Sequence, residues 1–191
     1  SVVYKRQQLE KLSNKALSEI RKKDIGFIFQ EYNLLHTLTV KENIMLPLSV
    51  QKLDKKEMNE RYQRITQALN IFEISDKYPS DISGGQRQRT SAARAFITYP
   101  KIIFADEPTG ALDSKNTRDL LQRFQKINEL YNATIVMVTH DPLAASFSER
   151  VIMLKDGQVF TEIYQGEDDK NVFHKEILRA QSILGGMMYE F

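Results

Sequence analysis

Four apolar residues, Ile102, Ile103, Phe104 and Ala105, run without interruption into Asp106 and Glu107. A run so short and so apolar predicts a strand buried on both faces of a sheet. Val136, Met137 and Val138 run in the same way into Thr139 and His140, within a second expected buried strand over 134–139. Ligands of open α/β sheets gather at the carboxyl ends of parallel strands. The polar residues therefore stand where chemistry is expected. Longer segments with helical spacing separate these runs, and that alternation argues for an α/β fold.

The other elements follow from local signals. A polar helix is expected within 11–23, leading into a strand at 25–29. Residues 40–48 predict a helix that is interrupted or ended near Pro47. Over 55–72, Met58, Tyr62, Ile65, Leu69 and Phe72 recur every three or four residues, which makes one apolar helical face for a core. A helix over 86–98 follows an expected Ser83-Gly84-Gly85 turn. Ser114 is placed to cap a helix bearing Leu120, Leu121, Phe124, Ile127 and Leu130. Asp156-Gly157 between two β-rich runs signals a hairpin. Phe173, Ile177, Ala180 and Leu184 share one face of a last helix.

Composition excludes several classes. The 191 residues contain no Cys, so a disulfide scaffold, a thiolate metal site and a Cys nucleophile are out. Lys and Arg number 27 against 25 Asp and Glu, too even a balance to argue for nucleic acid by bulk charge. No apolar run approaches the roughly 18 residues of a membrane span. The expected chain is soluble, and a partner would have to hold it at any membrane where it works.

Four groups carry candidate chemistry. Asp106 suits Mg²⁺, directly or through water, and Glu107 suits the polarising of an attacking water as general base. Two acids on a solvent loop are the plainer alternative. Ser83, Gly84, Gly85 and Gln86 precede a helix whose N-terminus offers free N–H groups and a positive dipole end to phosphate. An ordinary turn with a Ser cap is the alternative there. His140 can donate to a phosphate oxygen or place a water. Gln30, after Gly26-Phe27-Ile28-Phe29, is a fourth polar group at a strand end.

Each group alone is weak, but their order is specific. Gln30, then Ser83-Gly84-Gly85-Gln86, then Asp106-Glu107, then Ala111-Leu112-Asp113, then His140 closely resembles the ATP-binding subunit of an ABC transporter across nearly the whole chain. In that family these are the Q-loop, signature motif, Walker B with its glutamate, D-loop and H-loop. The resemblance implies a P-loop NTPase with a RecA-like parallel sheet and an inserted α-helical subdomain. It implies catalytic core over 1–39 and 95–191, and helical subdomain over 40–94. It further implies ATP and Mg²⁺ as cofactors. Asp106 and Gln30 would serve the metal, Glu107 would activate water, and His140 would contact the γ-phosphate.

Two partners are implied as well. A second ATP-binding subunit would pair head to tail, so that Ser83, Gly84, Gly85 and Gln86 close over the partner's nucleotide while Asp113 ties the halves together. A transmembrane permease would receive the loop of Glu31, Tyr32 and Asn33 at the cytoplasmic face of the cell membrane. No nucleic acid partner is expected. Gly110-Ala111-Leu112-Asp113 replaces the usual Ser-Ala-Leu-Asp, which resembles the subgroup serving lipoprotein release, macrolide-type export and bacitracin-type peptide resistance. Ile82 replaces the usual Leu. The tail, from Asp156-Gly157 through Phe173 to Leu184-Gly185-Gly186, looks most like the bacitracin-type exporters.

One motif of the family is absent. No Gly-x-x-x-x-Gly-Lys-Ser/Thr occurs in these 191 residues. The expectation is an N-terminally incomplete piece, inactive alone, rather than a degenerate subunit, because Glu107 and His140 are intact. Two other readings stand beside this one. A soluble ATPase of the same fold acting on DNA or ribosomes usually carries tandem heads or a coiled-coil insert. A non-catalytic regulatory module would predict no turnover in any context.

Overall fold

The computed structural model describes residues 3–51 and 53–186. In chain order, strands β1 (Val3–Tyr4) and β2 (Gln7–Gln8) precede helix α1 (Asn14–Lys23) and β3 (Ile25–Ile28). Helices α2 (Val40–Ser49), α3 (Lys55–Ala68) and α4 (Gly84–Phe96) follow, then β4 (Ile102–Asp106), α5 (Ser114–Tyr131) and β5 (Thr134–Val138). A short α6 (Pro142–Ala145), the hairpin β6 (Arg150–Lys155) and β7 (Gln158–Tyr164), and α7 (Lys170–Gly186) complete the fold.

The central sheet is parallel, in the order β3-β4-β5, with Phe27 beside Phe104 and Phe104 beside Val136. Parallel neighbours need crossovers; α2, α3 and α4 make the first and α5 the second. Side chains alternate across the sheet. Gly26, Ile28, Ile103 and Ala105 point into the core, where Phe96 of α4 meets Phe124 of α5 edge to face at 5.7 Å. Burying a side chain such as Ile103 stabilises by about 1.5–3 kcal/mol. Gly26 is required by packing, because a Cβ there would stand 2.7 Å from the Ala95 carbonyl oxygen.

The β4 run expected to be buried on two faces is buried on one, and β5, expected to be buried, is half-buried on one face through Ile135 and Met137. Phe27, Phe104, Val136 and Val138 are exposed among the described residues. Phe27 covers its neighbours only in part, stacking on Phe104 at 5.6 Å and Phe29 at 5.9 Å. An unbroken apolar run thus reports the residue types of a strand and leaves open what covers each face.

Two local expectations also shift, while the helix expected to end near Pro47 does so. Gly84 and Gly85 form the first turn of α4 instead of a turn before it, because Ser83 caps the helix. Pro47 sits inside α2, which runs on to Ser49 before ending. The ring removes one backbone donor, and the helix persists for less than a turn beyond it. Phe72 begins a separate 3₁₀ turn and is exposed, while Tyr62, Ile65 and Leu69 are buried as the spacing predicts. The Asp156-Gly157 hairpin is present, with both residues at positive φ, +51° and +75°. Phe173 and Ile177 are buried under α7 as expected.

Candidate functional site

The sheet brings the strand-end residues together. β4 ends at Asp106, which is exposed, and Glu107 turns the chain with φ of +43°. The Glu107 amide donates to the Val138 carbonyl of β5 at 2.9 Å, which extends the strand pairing by one bond. That bond sets the Glu107 side chain beside the end of β5. Its Oε1 accepts from the His140 amide at 2.9 Å and lies 2.7 Å from His140 Nδ1. Its Oε2 accepts from Thr139 Oγ1 at 3.2 Å. The Glu107 side chain is 17% exposed and that of His140 is 85% exposed. The carboxylate is therefore fixed and the imidazole faces outward.

The Glu107 carboxylate raises the His140 pKa above its ordinary 6.5, first through the hydrogen bond and then through its charge. With Nδ1 turned to Glu107, the other ring nitrogen is the one available to a ligand. Gln30 reaches the same end of the sheet. A Cβ on Gly110 would stand 3.3 Å from Gln30 Nε2, so the glutamine amide lies against the turn that follows Glu107. The glycine in Gly110-Ala111-Leu112-Asp113 is what leaves that space. Gln30, Asp106, Glu107 and His140 are thus gathered at the carboxyl ends of β3, β4 and β5.

A second group forms around the start of α4. Ser83 is the N-cap, with its hydroxyl accepting from the Gln86 amide at 3.3 Å. Gln86 Oε1 accepts in return from the Ser83 amide at 2.9 Å, which completes a capping box. The Gln86 side chain is thereby turned back onto its own helix. The first amides of a helix have no intrahelical acceptor, so Gly84 and Gly85 present theirs at the open end. Without side chains, the two glycines let a ligand approach the backbone.

Asp113 stands across from them as the N-cap of α5. It accepts from the amides of Lys115 and Asn116 at 3.0 Å each, and these bonds hold its pKa low, those from Asn116 first. A cavity of about 260 Å³ lies between, lined by Ser83, Gly84, Gly85, Arg89, Asp113 and Asn116. Arg89 and Asn116 were not among the expected residues. Arg89 is about one and a half turns into α4, and burial lowers its pKa. Four residues after Gly85, it shares that residue's face of the helix, and its guanidinium lies 3.8 Å from Asp119 of α5. Thr139 was also missed, since a Thr at the end of a β-branched run carries no signal of its own.

Among the described residues, no three His, Cys, Asp or Glu converge as a metal cage. The oxygen donors of Asp106 and Gln30 fit Mg²⁺, which is commonly held by one or two carboxylates together with phosphate oxygens and water. Among the described residues, no helix is long and apolar enough to cross a membrane.

The model of the ABC transporter family matches residues 1–110. The chain is 56% identical over 187 residues to the bacitracin export ATP-binding protein BceA of Halalkalibacterium halodurans, covering 98% of this chain and 74% of that protein. It is 48% identical over 176 residues to the ABC transporter ATP-binding protein YxdL of Bacillus subtilis, covering 92% of this chain and 68% of that one. Its fold matches a dimeric post-hydrolysis structure of the ATP-binding cassette MJ0796 of Methanocaldococcus jannaschii, bound to ADP and Pi. The TM-score there is 0.74 at 38% identity, over 84% of this chain and 71% of that one.

Proposed function

The chain belongs to the ABC transporter family, and from that premise we propose that it is part of an ATP-hydrolysing subunit that drives export of antimicrobial peptides of the bacitracin type. The observation that carries the hydrolytic part is the Glu107 carboxylate, immobilised by His140 and Thr139 at the end of β4. A fixed carboxylate beside an outward imidazole suits the activation of a water against a terminal phosphate. Glu107 is the general base in this reading, and His140 contacts the γ-phosphate. Asp106 and Gln30 would hold Mg²⁺, which would supply charge neutralisation on the phosphate oxygens.

The cavity at Ser83, Gly84 and Gly85 then serves a second subunit's nucleotide, with Asp113 on the dimer interface. Dimeric structures of the MJ0796 cassette support that pairing. Because the 191 residues hold no Gly-x-x-x-x-Gly-Lys-Ser/Thr, the reading assigns the cradle of the phosphates to residues outside them and expects no turnover by this stretch alone. It also places 1–39 and 95–191 in a catalytic core and 40–94 in a helical subdomain. Helix α4 runs through that second boundary to Phe96, so it would join the two units rigidly. The loop of Glu31, Tyr32 and Asn33 would meet a permease at the cytoplasmic face of a membrane. The peptide substrate rests on the likeness to the bacitracin export protein.

The test is Mg-ATP turnover by the complete subunit and by its Glu107→Gln form. Loss of a general base lowers rates by about 10²–10⁴, with ATP binding and the ATP-dependent dimer retained. Steady turnover in the Gln variant would remove Glu107 from the role. For the substrate, a strain without the subunit should become more sensitive to bacitracin, and unchanged sensitivity would overturn the peptide assignment.

A further inference from the structure

The His140 peptide is held from two sides. Its amide donates to Glu107 Oε1 at 2.9 Å, and its carbonyl accepts from Gln181 Nε2 of α7 at 3.4 Å. The imidazole itself is largely exposed, so neighbouring side chains do little to orient it by packing. Its direction depends on the single contact at Nδ1 and on the peptide that carries it.

The spacing along α7 brings Gln181 to that peptide. Phe173, Ile177 and Gln181 are four residues apart and lie one above another on the helix. Phe173 and Ile177 are buried and seat α7 on the domain. The next position of that stripe holds a glutamine, whose amide group donates where an apolar side chain would not.

The start of α7 is fastened as well. Asp169 accepts from the amides of Asn171 and Val172 at 2.7 and 3.1 Å. Lys170 donates from Nζ to Gln125 Oε1 of α5 at 2.7 Å, and it lies over the Phe147 ring, 4.5 Å from the centroid. Gln125 in turn donates from Nε2 to the Phe147 carbonyl at 3.0 Å. Helix α7 thus meets the segment 140–147 at both of its ends, Lys170 at Phe147 and Gln181 at His140. The two stretches run in opposite directions, and the fixed start of α7 sets the register. A slip of one helical turn, about 5.4 Å, would carry Gln181 out of reach of the carbonyl.

We propose that Gln181 of α7 is a positioning residue for His140: by holding the His140 carbonyl it keeps the imidazole in line with Glu107 and its other ring nitrogen turned outward. Gln181 touches no reacting atom in this arrangement. The proposal rests on the reading that His140 contacts the γ-phosphate. It gives α7 a part in hydrolysis, because displacement of the helix releases the carbonyl and loosens the ring.

The experiment uses the complete subunit. Amide exchange at His140, read by NMR without nucleotide, reports the hold on the peptide, and steady-state kinetics report its use. Gln181→Leu removes the donor at similar size. It should raise His140 amide exchange at least threefold and lower kcat about fivefold, with KM for ATP within twofold. Gln181→Lys keeps a donor of similar reach and should return exchange and kcat to within twofold of the wild type. Should Gln181→Leu lower the unfolding midpoint, Gln181→Ala, which only truncates an exposed side chain, carries the same expectations. Exchange unaltered by loss of the donor overturns the proposal. So does a kcat that stays within twofold of the wild type, or a Lys variant as slow as the Leu one. Absence of ATP turnover in the wild type would overturn the functional reading instead, while the exchange rates still decide whether Gln181 holds His140.

Discussion

His140 meets Glu107 twice: its backbone amide donates to Oε1 at 2.9 Å, and its ring Nδ1 lies 2.7 Å from the same oxygen. The two residues come from adjacent strands and are 33 positions apart. One carboxylate oxygen thus fixes both the backbone and the ring of His140. The ring direction and its protonation are set together.

That contact makes a titration testable. The Glu107 hydrogen bond, and then its charge, raise the pKa of His140 above 6.5. A group raised in the folded state contributes stability below its unfolded pKa and loses it as pH climbs through the folded value. The attraction is therefore complete below about pH 6.5 and fades as the pH passes the raised value. Ring-proton shifts followed by NMR should show His140 titrating above 6.5 in the wild type. In Glu107→Gln its midpoint should fall back toward 6.5.

Ser83 has two separable duties. As N-cap it accepts from the Gln86 amide, and loss of such a cap costs about 1 kcal/mol. Ser83→Ala should lower stability in urea unfolding by about that amount. Asp caps as well as Ser but repels phosphate. Ser83→Asp should leave the unfolding midpoint near the wild type and abolish the ATP-dependent dimer seen by sedimentation.

Gly26 is closed to any side chain. A methyl group there would meet the Ala95 carbonyl oxygen at 2.7 Å and Ile103 Cγ1 at 3.3 Å. The first obstacle is backbone, so β3 and α4 would have to separate. Gly26→Ala should destabilise by about 1–3 kcal/mol, as overpacked cores do. Denaturant unfolding of the complete subunit measures it, and an unchanged midpoint would contradict the packing described.

Asn43 is fully buried and is the sole side-chain partner, among the described residues, of the backbone groups it meets at Leu35, Leu38 and Thr39. Removing it takes the side-chain partner from the Leu35 amide and the Leu38 carbonyl, whereas the Leu35 and Thr39 carbonyls keep the amides of Leu38 and Asn43. Asn43→Ala should therefore cost about 1–3 kcal/mol. Amide exchange at Leu35 should accelerate in step, because its acceptor is gone.

Much of this was legible in local sequence. Asp156-Gly157 specified a hairpin because both turn residues tolerate positive φ. Ser83 and Gln86 stand at capping-box spacing, and the box forms. The expected helical face of Tyr62, Ile65 and Leu69 is buried. Placing Phe72 on that face failed because Leu69 already ends the helix as its C-cap.

By themselves, the residues determined where strands end in polar groups and which helix start is glycine-lined, since both follow from neighbours along the chain. Only the tertiary structure decided that Gln30 rests against Gly110, that Glu107 holds His140, and that Arg94 grips Tyr32 and Asn33 from 62 and 61 positions away. The order β3-β4-β5 and the strand register bring the first two pairs together, and the seating of α4 against β3 sets the third. Periodicity carries no information about either, because it records which face of an element is apolar and not which element lies opposite.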